Sequence, residues 1–389
     1  MKITSKKLLM LLPELHLKCD IMNECCDRIS LVNSEDIVWL SKKDTDIKKL
    51  ESILYAIKIV PKYLNVQFYN DKRFSVKKYS SIKGFAINLD GYSDIDNYLT
   101  YQFRRKAKGN ILRSIRRLEK SYNIKYKRYF GKADKAEVDS LMILLKKMIL
   151  KRFQQRHQKN DALNRWEDIQ STIYDLIINK KASLFVIYHN KKALAISLGY
   201  HFNLVIFYYI ASYDVDYSKF GLGNIMIYKQ LEWCITNDYR YFDMGWGYLD
   251  YKRRWCNYIH IYDNHLIFSN TSIIVYLMSI WEGNKTRLRA YLLSSKLKTF
   301  FDKTKKLLIV KSNNNSNYNF QNLDYSISLE GLVQLDLKNE KNFHFGVIKN
   351  DFIYYTEEYY SDVKLYSGPK QEFFIIKGKK HCKKIVFEE

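Results

Sequence analysis

The chain has 389 residues, with 65 Lys+Arg against 41 Asp+Glu and a net charge of +24. Apolar residues make up 47% and charged residues 27%. That excludes a disordered chain, which combines high charge with low hydrophobicity. The length suits about two to three domains at roughly 150 residues each, and 3 prolines leave little room for Pro-rich linkers.

Residues 1–98 read as a helical start followed by short mixed segments at 37–40, 66–69 and 84–89. The last is a strand ending at the Asp90-Gly91 turn. The opening Lys-rich residues and the Leu-rich run at 8–12 mimic a secretory leader, but the apolar core is too short and no small-x-small site follows. The longest apolar stretches, 8–12 and 272–281, fall well short of the ~20 residues of a membrane span. A cytoplasmic protein is expected. Cys19, Cys25, Cys26, Cys234, Cys256 and Cys382 form no CxxC pair, so free thiols and no metal are expected.

The stretch 97–121 is clearer. Leu99, Phe103, Ala107, Ile111, Ile115 and Leu118 form one face of a helix. Its other face is crowded with Arg and Lys, most simply a solvated surface. A strand at 122–129 and helices at 136–153 and 165–178 follow. Arg152, at the end of the first of these helices, and Arg156, just past it and near His157, are spaced one helical turn apart and could hold an anionic acceptor. Strands at 184–188, 194–200 and 204–211 are separated by polar turns, the pattern of an antiparallel meander. A loop then reaches Gly221-Leu-Gly223, a helix at 224–237, a strand at 240–244, a Gly-Trp-Gly turn, and a hairpin with strands at 258–262 and 265–269. The segment 272–310 is helical, and its basic part at 285–306 suits either an anionic membrane or the core. Beyond a polar linker at 313–317, short aromatic strands at 343–348, 352–356 and 372–376 suggest a small β-rich appendage. The expected division is an N-terminal lobe at 1–130, a second lobe at 131–312 and the appendage at 320–389.

A Gly-x-Gly at a helix start lets backbone approach a ligand, and the first helical N–H groups have no intrahelical partner, so they can hold phosphate. The motif is neither a Walker A loop nor a dinucleotide fingerprint. By itself it reads as an ordinary strand-to-helix turn.

Two longer runs carry more. Ser218-Lys-Phe-Gly-Leu-Gly-Asn224 resembles the acyl-coenzyme A loop of GNAT acyltransferases, Gln/Arg-x-x-Gly-x-Gly/Ala, with Ser218 where Gln or Arg is usual. Tyr241-Phe-Asp-Met-Gly-Trp-Gly-Tyr-Leu-Asp-Tyr-Lys-Arg-Arg-Trp255 resembles the Phe-Asp-(apolar)-Gly-x-Gly-x-x-x-Tyr-Lys-x-x-Trp/Phe signature of one GNAT branch. That branch is grouped with cellulose-biosynthesis acetyltransferases and is similar to the Fem aminoacyltransferases. The resemblance covers about 97–310. It implies an α+β GNAT fold, two-lobed with a degenerate N-terminal half, and an acyltransferase using acyl-CoA. Lys219, Phe220, Gly221, Leu222, Gly223 and Asn224 would bind the donor. Asp243 would be a general base or a structural acceptor. Lys252 would neutralise the oxyanion or contact phosphate, and Tyr251 would protonate the leaving thiolate. Arg152, Trp246, Tyr248 and Trp255 would line the acceptor pocket. The acceptor would be an amine or hydroxyl of a sugar, cell-envelope or lipid precursor. The charge keeps open a Fem-like enzyme using aminoacyl-tRNA, and a non-catalytic nucleic-acid-binding protein on the same fold.

Overall fold

The computed structural model describes residues 5–41, 52–69, 71–154, 161–294, 318–337 and 339–387. Arg156, His157, the linker 313–317 and the end of the segment 285–306 lie outside the described residues.

The first third is strand-rich. It contains β1 (Ser5–Met10), the short helices α1 (Leu11–Glu14) and α2 (Cys19–Cys25), β2 (Cys26–Leu31), β3 (Ile37–Leu40), β4 (Ile53–Val60), β5 (Leu64–Phe68) and β6 (Phe74–Asn88). The expected helical start is therefore a strand: β1 pairs parallel with β4, and its register, Ser5 with Ile53 to Met10 with Lys58, supplies backbone partners a lone helix would not need.

The expected helix at 97–121 is two helices, α3 (Ile95–Gln102) and α4 (Arg105–Ser121). Asp94 caps α3 by accepting the Asn97 N–H at 2.8 Å. The chain breaks at Phe103 and Arg104, both extended, as the Phe103 ring turns edge-on to Trp255 at 4.9 Å. Then follow β7 (Ile124–Tyr129), α5 (Lys135–Gln154), α6 (Trp166–Ile178) and the meander β8 (Ala182–His189), β9 (Lys192–Phe202) and β10 (Val205–Tyr213). Next come α7 (Leu222–Thr236), β11 (Tyr241–Trp246), the short α8 (Asp250–Trp255), β12 (Tyr258–Ser269) and α9 (Ile273–Ser294). The expected hairpin at 258–269 is one strand. Its polar middle, Asp263-Asn264, continues the strand rather than turning: it stays in register with Ser80 and Tyr79 of β6, Asp263 pairs with Lys62 at 2.5 Å, and the Asn264 side chain accepts the Ile59 N–H at 3.1 Å where the register against β4 slips.

The central sheet has nine strands in the order β1-β4-β12-β6-β11-β10-β9-β8-β7. It runs through the expected boundary at 130/131, since β6 lies between β11 and β12. On one face sit α5, α6 and the small sheet β3-β2-β5, joined in one buried cluster. On the other sit α3, α4 and α7.

The C-terminal part forms a separate sheet of β13 (Tyr318–Asn322), β14 (Val333–Gln334), β15 (Lys364–Ser367), β16 (Phe374–Lys377) and β17 (Cys382–Phe387), in the order β13-β17-β16-β15-β14. The strands expected at 343–348 and 352–356 are instead one helix, α10 (Phe345–Thr356). Phe345, Ile348, Phe352 and Ile353 share its buried face and join the cluster of Leu118, Tyr122 and Phe220. Helical spacing there outweighs the β preference of the aromatics.

Candidate active site

The parallel pair β10–β11 is in register for only three residues, Val205 with Tyr241, Ile206 with Phe242 and Phe207 with Asp243. Beyond this the two strands part. Both are displaced by irregularities: β10 bulges against β9 between Tyr208 and Ile210, and β11 slips against β6 between Asp243 and Trp246. Backbone groups that a continuing ladder would have paired are thus left along a gap. Asp243 stands at its root, and Tyr208 is the first residue of β10 beyond it.

Asp243 is fully buried. Its Oδ2 accepts the Tyr63 hydroxyl at 2.6 Å, and its Oδ1 accepts the Gly245 N–H at 2.6 Å and the Tyr262 hydroxyl at 3.1 Å. Gly245 reaches back only because its φ is +73°, a conformation that costs other residues strain. Burial raises the Asp243 carboxyl to about 6, against the pull of these hydrogen bonds and of Lys252. The same burial, with the Asp243 charge, pushes the Tyr63 and Tyr262 hydroxyls well above their ordinary range.

Lys252, on α8, is also buried and donates to the Trp246 carbonyl at 2.6 Å. Burial lowers its ammonium to about 8, opposed by Asp243. An acid raised to about 6 and a base lowered to about 8 bracket neutral pH, where proton transfer is most effective. Tyr251 is half-buried in the cluster that holds Tyr208, whose hydroxyl is pushed up by burial first and by Tyr251 second.

The expected donor loop divides. Gly221 takes the left-handed conformation, φ +69°, that starts α7. Leu222 and Gly223 follow in the first turn, where a helix supplies no partner for backbone N–H. A Cβ on Gly223 would lie 3.6 Å from the Tyr213 ring, over which the Arg152 guanidinium sits at 4.6 Å. Arg152 therefore lies beside the start of α7, where its charge adds to the helix dipole. Lys219 points elsewhere: its ammonium pairs with Asp351 of α10 at 2.7 Å and lies over the Tyr355 ring at 4.7 Å. Phe220 is fully buried between Tyr122 and Tyr354. The Asn224 side chain accepts the Trp255 indole N–H at 3.0 Å.

The expected acceptor residues also separate. Trp255 is buried in the core. Tyr248 is exposed and accepts a hydrogen bond from Arg253 at 2.9 Å. Trp246 is half-buried between Phe207 and Tyr262, on the Asp243 side of the sheet. Sequence reasoning missed Tyr63 and Tyr262, which lie 180 and 19 residues from Asp243 in the chain. It also missed Tyr208 and Tyr213, whose signal was their place in the strand just before the glycine loop.

Among the described residues, no group of three His, Cys, Asp or Glu is placed to hold a metal. No helix among them is long and apolar enough to cross a membrane. A cleft of about 350 Å³ opens at the other end of β10 and β11. Its Arg240 already pairs with Asp36 at 2.6 Å and Asp90 at 3.6 Å. Ligands of parallel strands sit at their carboxyl ends, which places the gap, and not this cleft, where chemistry is expected.

Residues 105–253 match the family profile described as an acetyltransferase (GNAT) domain. The chain carries a GNAT-type domain of mixed α/β content, with a large sheet and a separate small C-terminal sheet. Comparison with curated proteins gave no match. Among solved structures, similarity is found to a conserved protein of unknown function from Bacteroides thetaiotaomicron, at 13% identity over 58% of this chain and 72% of that one, with a TM-score of 0.37. FemX matches at 11% identity over 53% and 68%, with a TM-score of 0.39. L-PGS from Bacillus licheniformis matches at 11% identity over 63% and 76%, with a TM-score of 0.35.

Proposed function

We propose that the chain is an acyltransferase, moving an acyl group from acyl-coenzyme A to an amine or hydroxyl of a sugar, cell-envelope or lipid precursor. One observation carries this reading. Two parallel strands part after three paired residues, beside a glycine-led helix start and a buried Asp–Lys pair, within a stretch matching an acetyltransferase domain. The donor pyrophosphate would sit on the Leu222 and Gly223 N–H groups with Arg152 beside it, and the pantetheine arm would enter the gap. An extended arm there would find hydrogen-bonding groups on both strands.

The thioester is already activated, so the protein's work is positioning and proton transfer. The acceptor heteroatom attacks the carbonyl carbon, the C–S bond breaks, and the acceptor loses one proton as the thiolate gains one. Lys252 in its neutral form takes the acceptor proton. Tyr251, next to Tyr208, supplies the thiolate proton. Asp243 touches neither reactant in this scheme. It holds Tyr63, Tyr262 and the Gly245 turn in place and sets the charge that Lys252 feels, and is thus a positioning residue.

The charge of +24 favours a second reading, in which aminoacyl-tRNA is the donor. Calorimetric titration with acetyl- and palmitoyl-coenzyme A, using Gly223→Asp as control, separates the two. Gly223 has room for a Cβ at ordinary contact distance, so the variant places a carboxylate where phosphate would lie without disturbing the turn. Binding weakened at least roughly tenfold in the variant is the expected result. Absence of binding to either thioester, with aminoacyl transfer from tRNA, would replace the first reading by the second.

A further inference from the structure

Helix α9 is amphipathic in the reverse of the usual sense. Most of the residues it buries are small or polar, Ser279, Glu282, Gly283 and Thr286, and Val275 adds an apolar contact with Leu54, Ala56, Leu266 and Phe268. They pack on β4, β6 and β12. Glu282 is tied to Lys6 at 2.5 Å and Lys58 at 2.6 Å, and Gly283 lies so close to Tyr79 that a Cβ there would clash with its ring. The apolar residues face outward. Ile273, Ile274, Leu277, Trp281 and Leu288 are between 50% and 75% exposed, and at 3.6 residues per turn they fall within an arc of about 100°. A helix that lays its polar side on the protein and presents isoleucine, leucine and tryptophan to the outside has no reason to do so in water alone.

The charges beside this stripe identify what covers it. Lys285, Arg287 and Arg289 are exposed along its margins, and the sole acid of the helix, Glu282, is buried and ion-paired. Lys77 of β6 lies over the Tyr276 ring at 5.0 Å and adds a further cation at the edge. The sequence that follows, 295–311, holds six lysines and one aspartate. A second copy of the chain seated on this face would bring the two sets of cations together, on molecules each carrying +24. An apolar stripe with cationic margins and no acid matches the boundary of an anionic bilayer, where acyl chains meet negatively charged headgroups. We propose that α9 lies flat on an anionic membrane surface, with Trp281 and Leu288 in the acyl boundary and Lys285, Arg287 and Arg289 among the headgroups.

Vesicle flotation with the full chain tests this, using neutral phosphatidylcholine vesicles and vesicles with about one third phosphatidylglycerol. The expected result is binding to the anionic vesicles, at least roughly tenfold weaker on neutral ones. The triple variant Leu277→Gln/Trp281→Gln/Leu288→Gln should lose at least roughly tenfold in binding to the anionic vesicles. These side chains are exposed, so its melting temperature should match that of the parent. A second variant, Lys285→Glu/Arg289→Glu, should lose the preference for anionic lipid while leaving the apolar stripe intact. Undiminished binding by the triple variant would overturn the proposal, as would failure of the parent to float with anionic vesicles. A dimer in sedimentation equilibrium that the triple variant dissolves, without flotation, would give the face to a second copy instead. None of these readouts depends on catalysis, so the outcome stands apart from the acyltransferase reading.

Discussion

At the scale of single residues, the Asp243–Lys252 pair makes a specific demand on stability. Between pH 3.8 and about 6 the folded chain keeps a proton on Asp243 that the unfolded chain has released, so this group's contribution to stability falls as pH rises. Between about 8 and 10.5 the unfolded chain keeps a proton that folded Lys252 has released, so its contribution rises with pH. Asp243→Asn should remove the acid-side fall, which amounts to about 3 kcal/mol over the window. Urea midpoints of parent and variant between pH 4 and 7 check this, and parallel curves would refute it. The sequence reading reached Asp243 and Lys252 through a motif, because both are local to one turn. It did not reach Tyr63 or Tyr262, because a hydroxyl that meets a carboxylate across the sheet leaves no mark on spacing. Lys219 was misplaced for the same reason: its partner, Asp351, is 132 residues away.

At the scale of elements, α9 is held by an ion cluster beside a small apolar one, in which Val275 packs with Leu54, Ala56, Leu266 and Phe268. Glu282 is 3% exposed, and against the upward push of that burial Lys58 and Lys6 pull its carboxyl down to about 2. That stabilisation is present above pH 4.5 and is lost as pH falls towards 2. Glu282→Ala should destabilise the chain by about 2 kcal/mol or more, since it leaves the half-buried Lys58, and the more exposed Lys6, without their carboxylate. Guanidinium denaturation at neutral pH measures it, and a change within about 0.5 kcal/mol would refute the role. Elements were legible in the sequence where period and burial agree, as in α4, α6 and the β8–β9–β10 meander. They were not where the two conflict. Asp263-Asn264 looks like a turn but runs on as strand, because its polar side chains are paired. Phe345, Ile348, Phe352 and Ile353 have a helical period that their aromatic company concealed.

At the scale of the whole molecule, the C-terminal sheet has its own strands but not its own interior. Ile348, Phe352 and Ile385 belong to the same buried cluster as Leu118, Phe220 and Leu222. Arg117 and Lys120 both bond to Glu357, at 3.0 and 2.9 Å. Unfolding should therefore be one calorimetric transition, with calorimetric and van't Hoff enthalpies agreeing. Two resolved transitions, the smaller one lost on removal of 318–387, would show that the two parts are energetically independent. The sheet order has a further consequence, for the chain as it leaves the ribosome. β1 and β4 are made first, yet β12 stands between them and β6. Until residue 269 has emerged, the earliest strands can pair only with each other. The surface of α4 and of the turn at 215–220 stays bare still longer, until α10 arrives. The nascent chain thus carries a long exposed edge through most of its synthesis, and its demand for chaperones is set by the order of strands in the sheet more than by their composition.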